Sequence, residues 1–167
     1  LRRIVTSAIE HSSLMAPLSE LEALGLEVTR VAPDRDGRID PEAMVAAIDS
    51  DVALITLGLV NAEVGTMQNV AAIARASSRA GAVFHLDAAQ AVGRMAVRVD
   101  DLGCDLMTVS GHKIGGPAGI GALYVRPGVN LSPKMLGGPQ ESGLRAGTPN
   151  LIGRSEGRRV GKECRSR

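Results

Sequence analysis

Short apolar runs alternate along this chain with stretches of helical periodicity, and that alternation constrains the fold more than any other feature. Ile4–Thr6, Glu27–Val31, Val52–Leu57, Ala82–Leu86, Leu106–Val109 and Ala122–Val125 read as strands. The run Val52-Ala53-Leu54-Ile55-Thr56-Leu57 has no polar alternation, as expected of a strand covered on both faces. Between the strands, Ser12 to Leu24 carries Leu14, Leu18, Leu21 and Leu24 at three- to four-residue spacing and stops at Gly25. Asp40-Pro41-Glu42 places an N-cap Asp before a first-turn Pro, so a helix starts there and is expected to run to about Asp49. Asn69 to Arg79 reads as a third helix, with Gly81 as its stop. Strand–helix–strand order with short connections predicts an α/β fold: a mostly parallel sheet with helices on both faces.

Such sheets bind ligands outside the carboxyl ends of their strands, so the polar residues just after each strand are the ones to inspect. Asp87-Ala88-Ala89-Gln90 follows one strand, Ser110-Gly111-His112-Lys113 another, and Asn61-Ala62-Glu63 the long apolar run. His11 stands just ahead of the first helix. A lysine amine at a strand end can form a Schiff base with an aldehyde cofactor. Pyridoxal 5'-phosphate would then need a carboxylate on its ring nitrogen, here Asp87, to make the ring an electron sink. Ser110 and His112 would supply donors for its phosphate, neutral His11 a flat partner for the ring face, and the Gln90 amide a donor for the phenolic oxygen.

Composition narrows the alternatives. The only aromatic residues are Phe84 and Tyr124, which leaves no stacking platform for single-stranded nucleic acid. The net charge of +1 conceals a split: Arg154–Arg167 holds six basic and two acidic residues, so the preceding part is net negative and offers no nucleic-acid footprint. No apolar run is long enough for a membrane helix. Two cysteines, Cys104 and Cys164, far apart and outside any CxxC, give neither a disulfide framework nor a metal knuckle and fit a reducing cytoplasm. Cys104 reads as a small buried hydrophobe and His85 as a structural histidine.

The chain resembles the class V aminotransferase family, and within it the cysteine desulfurases of the iron–sulfur assembly type. The resemblance rests on Ile9-Glu10-His11, on Asn61-Ala62-Glu63-Val64-Gly65-Thr66-Met67-Gln68 and on His85-Leu86-Asp87-Ala88-Ala89-Gln90. It extends through Ser110-Gly111-His112-Lys113-Ile114-Gly115-Gly116-Pro117 and Gly143-Leu144-Arg145-Ala146-Gly147-Thr148. It covers residues 1–152, which it implies are part of the large domain of a fold-type-I pyridoxal-phosphate-dependent transferase.

The roles it implies are specific. Lys113 holds the cofactor and moves the substrate α-proton, Asp87 pairs with the ring nitrogen, and Gln90 bonds the phenolic oxygen. His11 stacks on the ring and serves as acid or base, while Ser110 and His112 bind the phosphate. Thr148 reaches the phosphate of a neighbouring subunit, making a homodimer part of the site. Gly115 and Gly116 let the chain turn closely past Lys113. The implied activity removes sulfur from L-cysteine, giving alanine and an enzyme-bound persulfide for iron–sulfur scaffold or other sulfur-acceptor proteins. Another class V aminotransferase, a selenocysteine or cysteine-sulfinate lyase, and a non-catalytic truncated domain are the alternatives.

Departures from the family pattern set further expectations. Ala62 stands where the family usually has an Asn that touches the phenolic oxygen, and Asn61 is the remaining candidate. The family's upstream Gly-rich phosphate segment has no counterpart in these residues. Neither has its C-terminal small domain, with the nucleophilic cysteine and the carboxylate-binding arginine. Residues 1–167 alone are therefore expected to be inactive. Residues 153–167 fit no segment of the family, resemble translated adapter sequence, and are set aside as a non-native tail.

Overall fold

A computed structural model of the chain describes residues 3–154. Its core is a six-stranded sheet built from β1 (Arg3–Ser7), β2 (Val28–Val31), β3 (Val52–Gly58), β4 (Val83–Asp87), β5 (Leu106–Ser110) and β6 (Gly121–Val125). The strand order is β2-β1-β3-β4-β5-β6. The first five strands pair in parallel, and β6 closes the sheet antiparallel to β5. The mostly parallel sheet read from the sequence is therefore present. The direction of β6 was not legible, because an apolar run does not record which way its strand points.

The helices are α1 (Ser12–Ala23), α2 (Pro41–Ala46), α3 (Ala71–Ala80) and the single turn α4 (Val99–Leu102). From β1 the chain moves outward to β2 and then returns past β1 to β3. Right-handed crossovers put α1 on one face of the sheet and α2 and α3 on the other, and α2 and α3 do pack together. The strand order thus reverses between β1 and β3, which opens a crevice at their carboxyl ends.

Local chemistry sets the helix boundaries. Asp40 Oδ1 accepts from the Glu42 N–H at 3.0 Å, and Pro41 occupies the first turn. This helix ends at Ala46, short of the expected Asp49. Asp49 instead accepts from the Asp51 N–H at 2.9 Å through its side chain, a local bond that competes with helix continuation. α3 ends on Gly81 at φ +68°. In α1 only Leu18 of the leucine stripe is buried, and Leu24 is 76% exposed.

Val5, Ile55, Leu57, Phe84 and Leu86 fill the centre of the sheet, with Met44 and Ile73 packed from α2 and α3. Cys104 belongs to this core, as expected, and burial pushes its thiol pKa up. His85 is also structural: its Nδ1 lies 2.7 Å from Thr56 Oγ1 on the paired position of β3. No helix among the described residues is long and apolar enough to cross a membrane. Of the tail expected at 153–167, only Gly153 and Arg154 fall among the described residues; Cys164 lies outside them.

Candidate active site

The carboxyl ends of β1, β3, β4 and β5 and the loops that leave them enclose a cleft of about 1140 Å³ at the reversal of strand order. His11, Asn61, Asp87, Gln90, Ser110, His112 and Lys113 all line it. They come from four strand ends and lie up to about a hundred residues apart in sequence. Thr148 does not line the cleft and is exposed.

Asp87 ends β4, and its orientation is fixed at one oxygen. Oδ1 accepts from the Ala89 N–H at 2.9 Å and from Thr108 Oγ1 at 3.2 Å. Thr108 sits opposite Asp87 in the β4–β5 register. Oδ2 has no hydrogen-bond partner among the described residues, so one lone-pair edge remains to accept from a ligand. This residue type at this place suits a cationic ring nitrogen.

Lys113 lies in a 3-10 turn, Gly111–Ile114, directly after β5. The turn is held by close backbone approaches. Gly111 N–H donates to Ile120 O at 2.8 Å and Gly116 N–H to Gly111 O at 2.9 Å. A Cβ at Gly111 would stand 2.9 Å from Ile120 O, and one at Gly116 would stand 3.0 Å from Gly111 O. Gly115 ends the turn at φ +84°. These glycines let the chain fold back past the lysine, as the Gly115-Gly116 pair predicts. Lys113 makes no ion pair or hydrogen bond among the described residues.

His11 is the N-cap of α1. Its Nδ1 accepts from the Ser13 N–H at 3.2 Å, which leaves the proton of the neutral ring on Nε2. Ser110 Oγ and His112 Nδ1 lie 2.9 Å apart in hydrogen-bonding contact, so the two expected phosphate ligands share one corner of the cleft. Asn61 is placed differently from its expected role. Its Nδ2 donates to Ile9 O at 3.2 Å, and its Oδ1 accepts from the N–H groups of Glu63 and Val64 at 2.9 and 3.0 Å. Both ends of the amide shape the loop, tying the segment before His11 to the one after β3.

Three cleft residues escaped the sequence reading. Thr108 gains its importance only from the register with Asp87. Arg35 reaches the cleft from the β2–α2 connection, which Gln68 fastens to the loop after β3: Oε1 accepts from the Ile39 N–H and Nε2 donates to Gly37 O, both at 2.8 Å. Glu10, beside His11, is a mostly buried carboxyl whose pKa desolvation pushes up to about 7. Its place one residue before His11 at a strand end was the available signal.

A lysine, a carboxylate and a histidine cap thus gather at the switch point of a mostly parallel α/β sheet, the place where such folds bind a ligand. The aminotransferase class-V family profile matches residues 2–155, and the chain belongs to that family. Cysteine desulfurase IscS of Dictyoglomus turgidum is 41% identical over 152 residues, covering 91% of this chain and 39% of the relative. Its counterpart from Escherichia coli is 42% identical, covering 97% of this chain and 41% of the relative. A NifS-like protein of solved structure superposes with a TM-score of 0.94 at 33% identity, over 99% of this chain and 46% of its own. DndA from Streptomyces lividans gives 0.91 at 37%, over 99% and 48%. SspA, solved in complex with cysteine, gives 0.91 at 38%, over 96% and 47%. The chain spans about two fifths of the length of the curated relatives it matches.

Pyridoxal 5'-phosphate is the cofactor of this class, and the cleft fits it. Asp87 Oδ2 and the Lys113 amine, both without a partner among the described residues, and the Ser110–His112 pair suit a ring nitrogen, an aldehyde and a phosphate. No group of three or more His, Cys, Asp or Glu side chains among the described residues is placed to hold a metal ion.

Proposed function

We propose that this chain forms the cofactor-binding part of a cysteine desulfurase. The observation that carries the reading is the convergence of Lys113, Asp87, Gln90 and His11 on one cleft. When bound, pyridoxal phosphate supplies an electron sink for negative charge developing at the substrate α-carbon. Lys113 would hold the cofactor through its amine and carry the α-proton. Asp87 would keep the ring nitrogen protonated, Gln90 would bond the phenolic oxygen, His11 would cover the ring face, and Ser110 with His112 would hold the phosphate.

In the overall reaction an enzyme thiol takes the sulfur of L-cysteine as a persulfide, and the carbon skeleton leaves as alanine with the atoms balanced. The names of the relatives and the cysteine complex of SspA support this substrate. Buried Cys104 is not the thiol, because burial disfavours its thiolate and it belongs to the core. The nucleophile is placed outside the described residues. The protein is read as a cytoplasmic homodimer in which exposed Thr148 reaches the partner's phosphate site, passing sulfur to acceptor or iron–sulfur scaffold proteins.

The test is the full-length protein with L-cysteine: sulfide and alanine should appear in equal amounts under reductant. L-selenocysteine and cysteine sulfinate run in parallel separate the lyase alternatives. Borohydride reduction followed by peptide mapping should place the cofactor on Lys113, and Lys113→Ala should abolish both label and turnover. A label on another lysine would remove Lys113 from this role.

A further inference from the structure

Glu10 has no part in the scheme above, yet it is a carboxyl lining the cleft whose pKa burial pushes up. It follows β1 at the point where strand order reverses. The hydroxyl of Ser7, itself fully buried, donates to Glu10 Oε1. Oε2 faces the backbone of Gly58, and a Cβ there would stand 3.2 Å from it. Glycine at that strand end therefore leaves the space the carboxyl occupies. Gly58 pairs in register with Asp87, so two carboxyl groups approach one patch of the cleft floor, from β1 and from β4.

The electrostatics follow from this placement. Desolvation pushes the Glu10 pKa up to about 7, the hydrogen bonds from Ser7 and Gly58 oppose the shift, and the Asp87 charge adds to it. The other charged or titratable groups lining the cleft are His11 ahead of α1, Asp34 and Arg35 from the β2–α2 connection, Glu63 after β3, and His112 and Lys113 after β5. Among these groups, Asp87 is the one whose charge acts on Glu10.

We propose that Glu10 is a positioning residue for the cofactor ring, holding a proton beside Asp87 until a cationic ring nitrogen docks there and then releasing it. A cation at Asp87 Oδ2 cancels the smaller, Asp87 contribution to a pKa that burial chiefly raises, adds its own attraction for an ionised Glu10, and is in turn stabilised by that second negative charge. Binding and proton release are thereby linked, and affinity for a cationic ring rises as pH passes through the range in which Glu10 titrates. This inference rests on the pyridoxal-phosphate reading.

The test uses 4'-deoxypyridoxine 5'-phosphate, which keeps ring nitrogen and phosphate but lacks the aldehyde, so Lys113 chemistry drops out. Its affinity for full-length wild type, Glu10→Gln and Glu10→Asp is measured by calorimetry between about pH 6 and about pH 8. Titration of the ligand itself cancels in the ratio of wild type to variant. That ratio should rise by up to about tenfold for Glu10→Gln, the consequence of about one unit of coupling, and wild type should release more protons on binding. Glu10→Asp should restore part of the pH dependence. A ratio constant within about twofold would overturn the proposal. Should Glu10→Gln fail to fold, Ser7→Ala serves instead. Removing a bond to the ionised form should move the affinity step to higher pH, and an unmoved step would also overturn the proposal. Wild type that binds the analogue at no pH would overturn the pyridoxal-phosphate reading itself.

Discussion

Thr108 Oγ1 on β5 donates to Asp87 Oδ1 on β4 across 3.2 Å, from the position directly opposite in the strand register. With the Ala89 N–H on the same oxygen, this bond fixes the carboxylate through Oδ1 and leaves Oδ2 without a partner among the described residues. Thr108→Val keeps the shape and removes the donor, so Asp87 should lose orientation but not charge. Cofactor affinity of the full-length protein should fall by about tenfold, the worth of one hydrogen bond to a charged group. Asp87→Ala should keep the Lys113 linkage and lose most turnover. Equal cofactor affinity in Thr108→Val and wild type, measured by absorbance titration, would show that Ala89 alone orients the carboxylate.

The elements were legible where local chemistry and burial agree. Asp40-Pro41 announces the start of α2, Gly81 the end of α3, and the unbroken apolar run before Gly58 a buried strand. The expected end of α2 failed because Asp49 bonds its own turn, and the one-turn helix Val99–Leu102 is too short to show a period. The lining of the cleft was legible for a related reason: a parallel sheet gathers residues that follow strands, so Asp87, Ser110 and Lys113 were expected at one sheet edge, and they line one cleft. Thr108 could not be expected there, and for Glu10 the strand-end position beside His11 gave a place but no role. Their roles depend on which residue faces which across β1, β3, β4 and β5, a register that side-chain periodicity does not carry. Asn61 shows the converse, a residue whose type suggested a ligand contact and whose amide is engaged in shaping the loop.

Glu10 also makes a prediction about stability. Its folded pKa, about 7, lies above the ordinary carboxylate value of 4.5. The stabilisation is fully present below about 4.5, where both folded and unfolded forms are protonated. It is lost as pH rises through about 7, because the unfolded chain ionises first. The loss is at most about 3 kcal/mol. Glu10→Gln keeps an acceptor for Ser7 and cannot ionise. Relative to wild type it should therefore be more stable at pH 8 than at pH 4.5, by up to that amount. Urea unfolding at the two pH values measures the difference, and a pH-independent offset would mean that Glu10 titrates normally.

Thr56 and His85 give a prediction of opposite sign. Both side chains are buried, and burial lowers the pKa of His85. Its stabilising contribution is present above the ordinary histidine value near 6.5 and is lost as pH falls below it, when the unfolded chain takes up the proton first. Thr56→Val leaves His85 Nδ1 buried without its hydroxyl partner. At pH 8 it should cost about 1–3 kcal/mol, read as a lower urea midpoint. An unchanged midpoint would show that the ring finds another partner.

The last prediction concerns how the turn carrying Lys113 is held from below. Gly93, in the loop after β4, has φ +82°, and a Cβ there would stand 2.9 Å from Ile114 Cγ2 and 3.5 Å from Ile114 Cβ. Ile114 follows Lys113 in the same 3-10 turn, so a methyl group at position 93 presses on the element that positions the amine. Gly93→Ala should show two effects. Backbone strain at positive φ should lower stability by about 1–2 kcal/mol, and displacement of the turn should reduce the fraction of cofactor trapped on Lys113 by borohydride at a fixed cofactor concentration. Gly81→Ala separates them. Gly81 has φ +68° with nothing within 4 Å of its Cβ position, and it caps α3 without lining the cleft. It should show the stability loss and leave trapping unchanged. If both variants reduce trapping equally, general destabilisation rather than contact with Ile114 accounts for the effect, and Gly93 has no special part in placing Lys113.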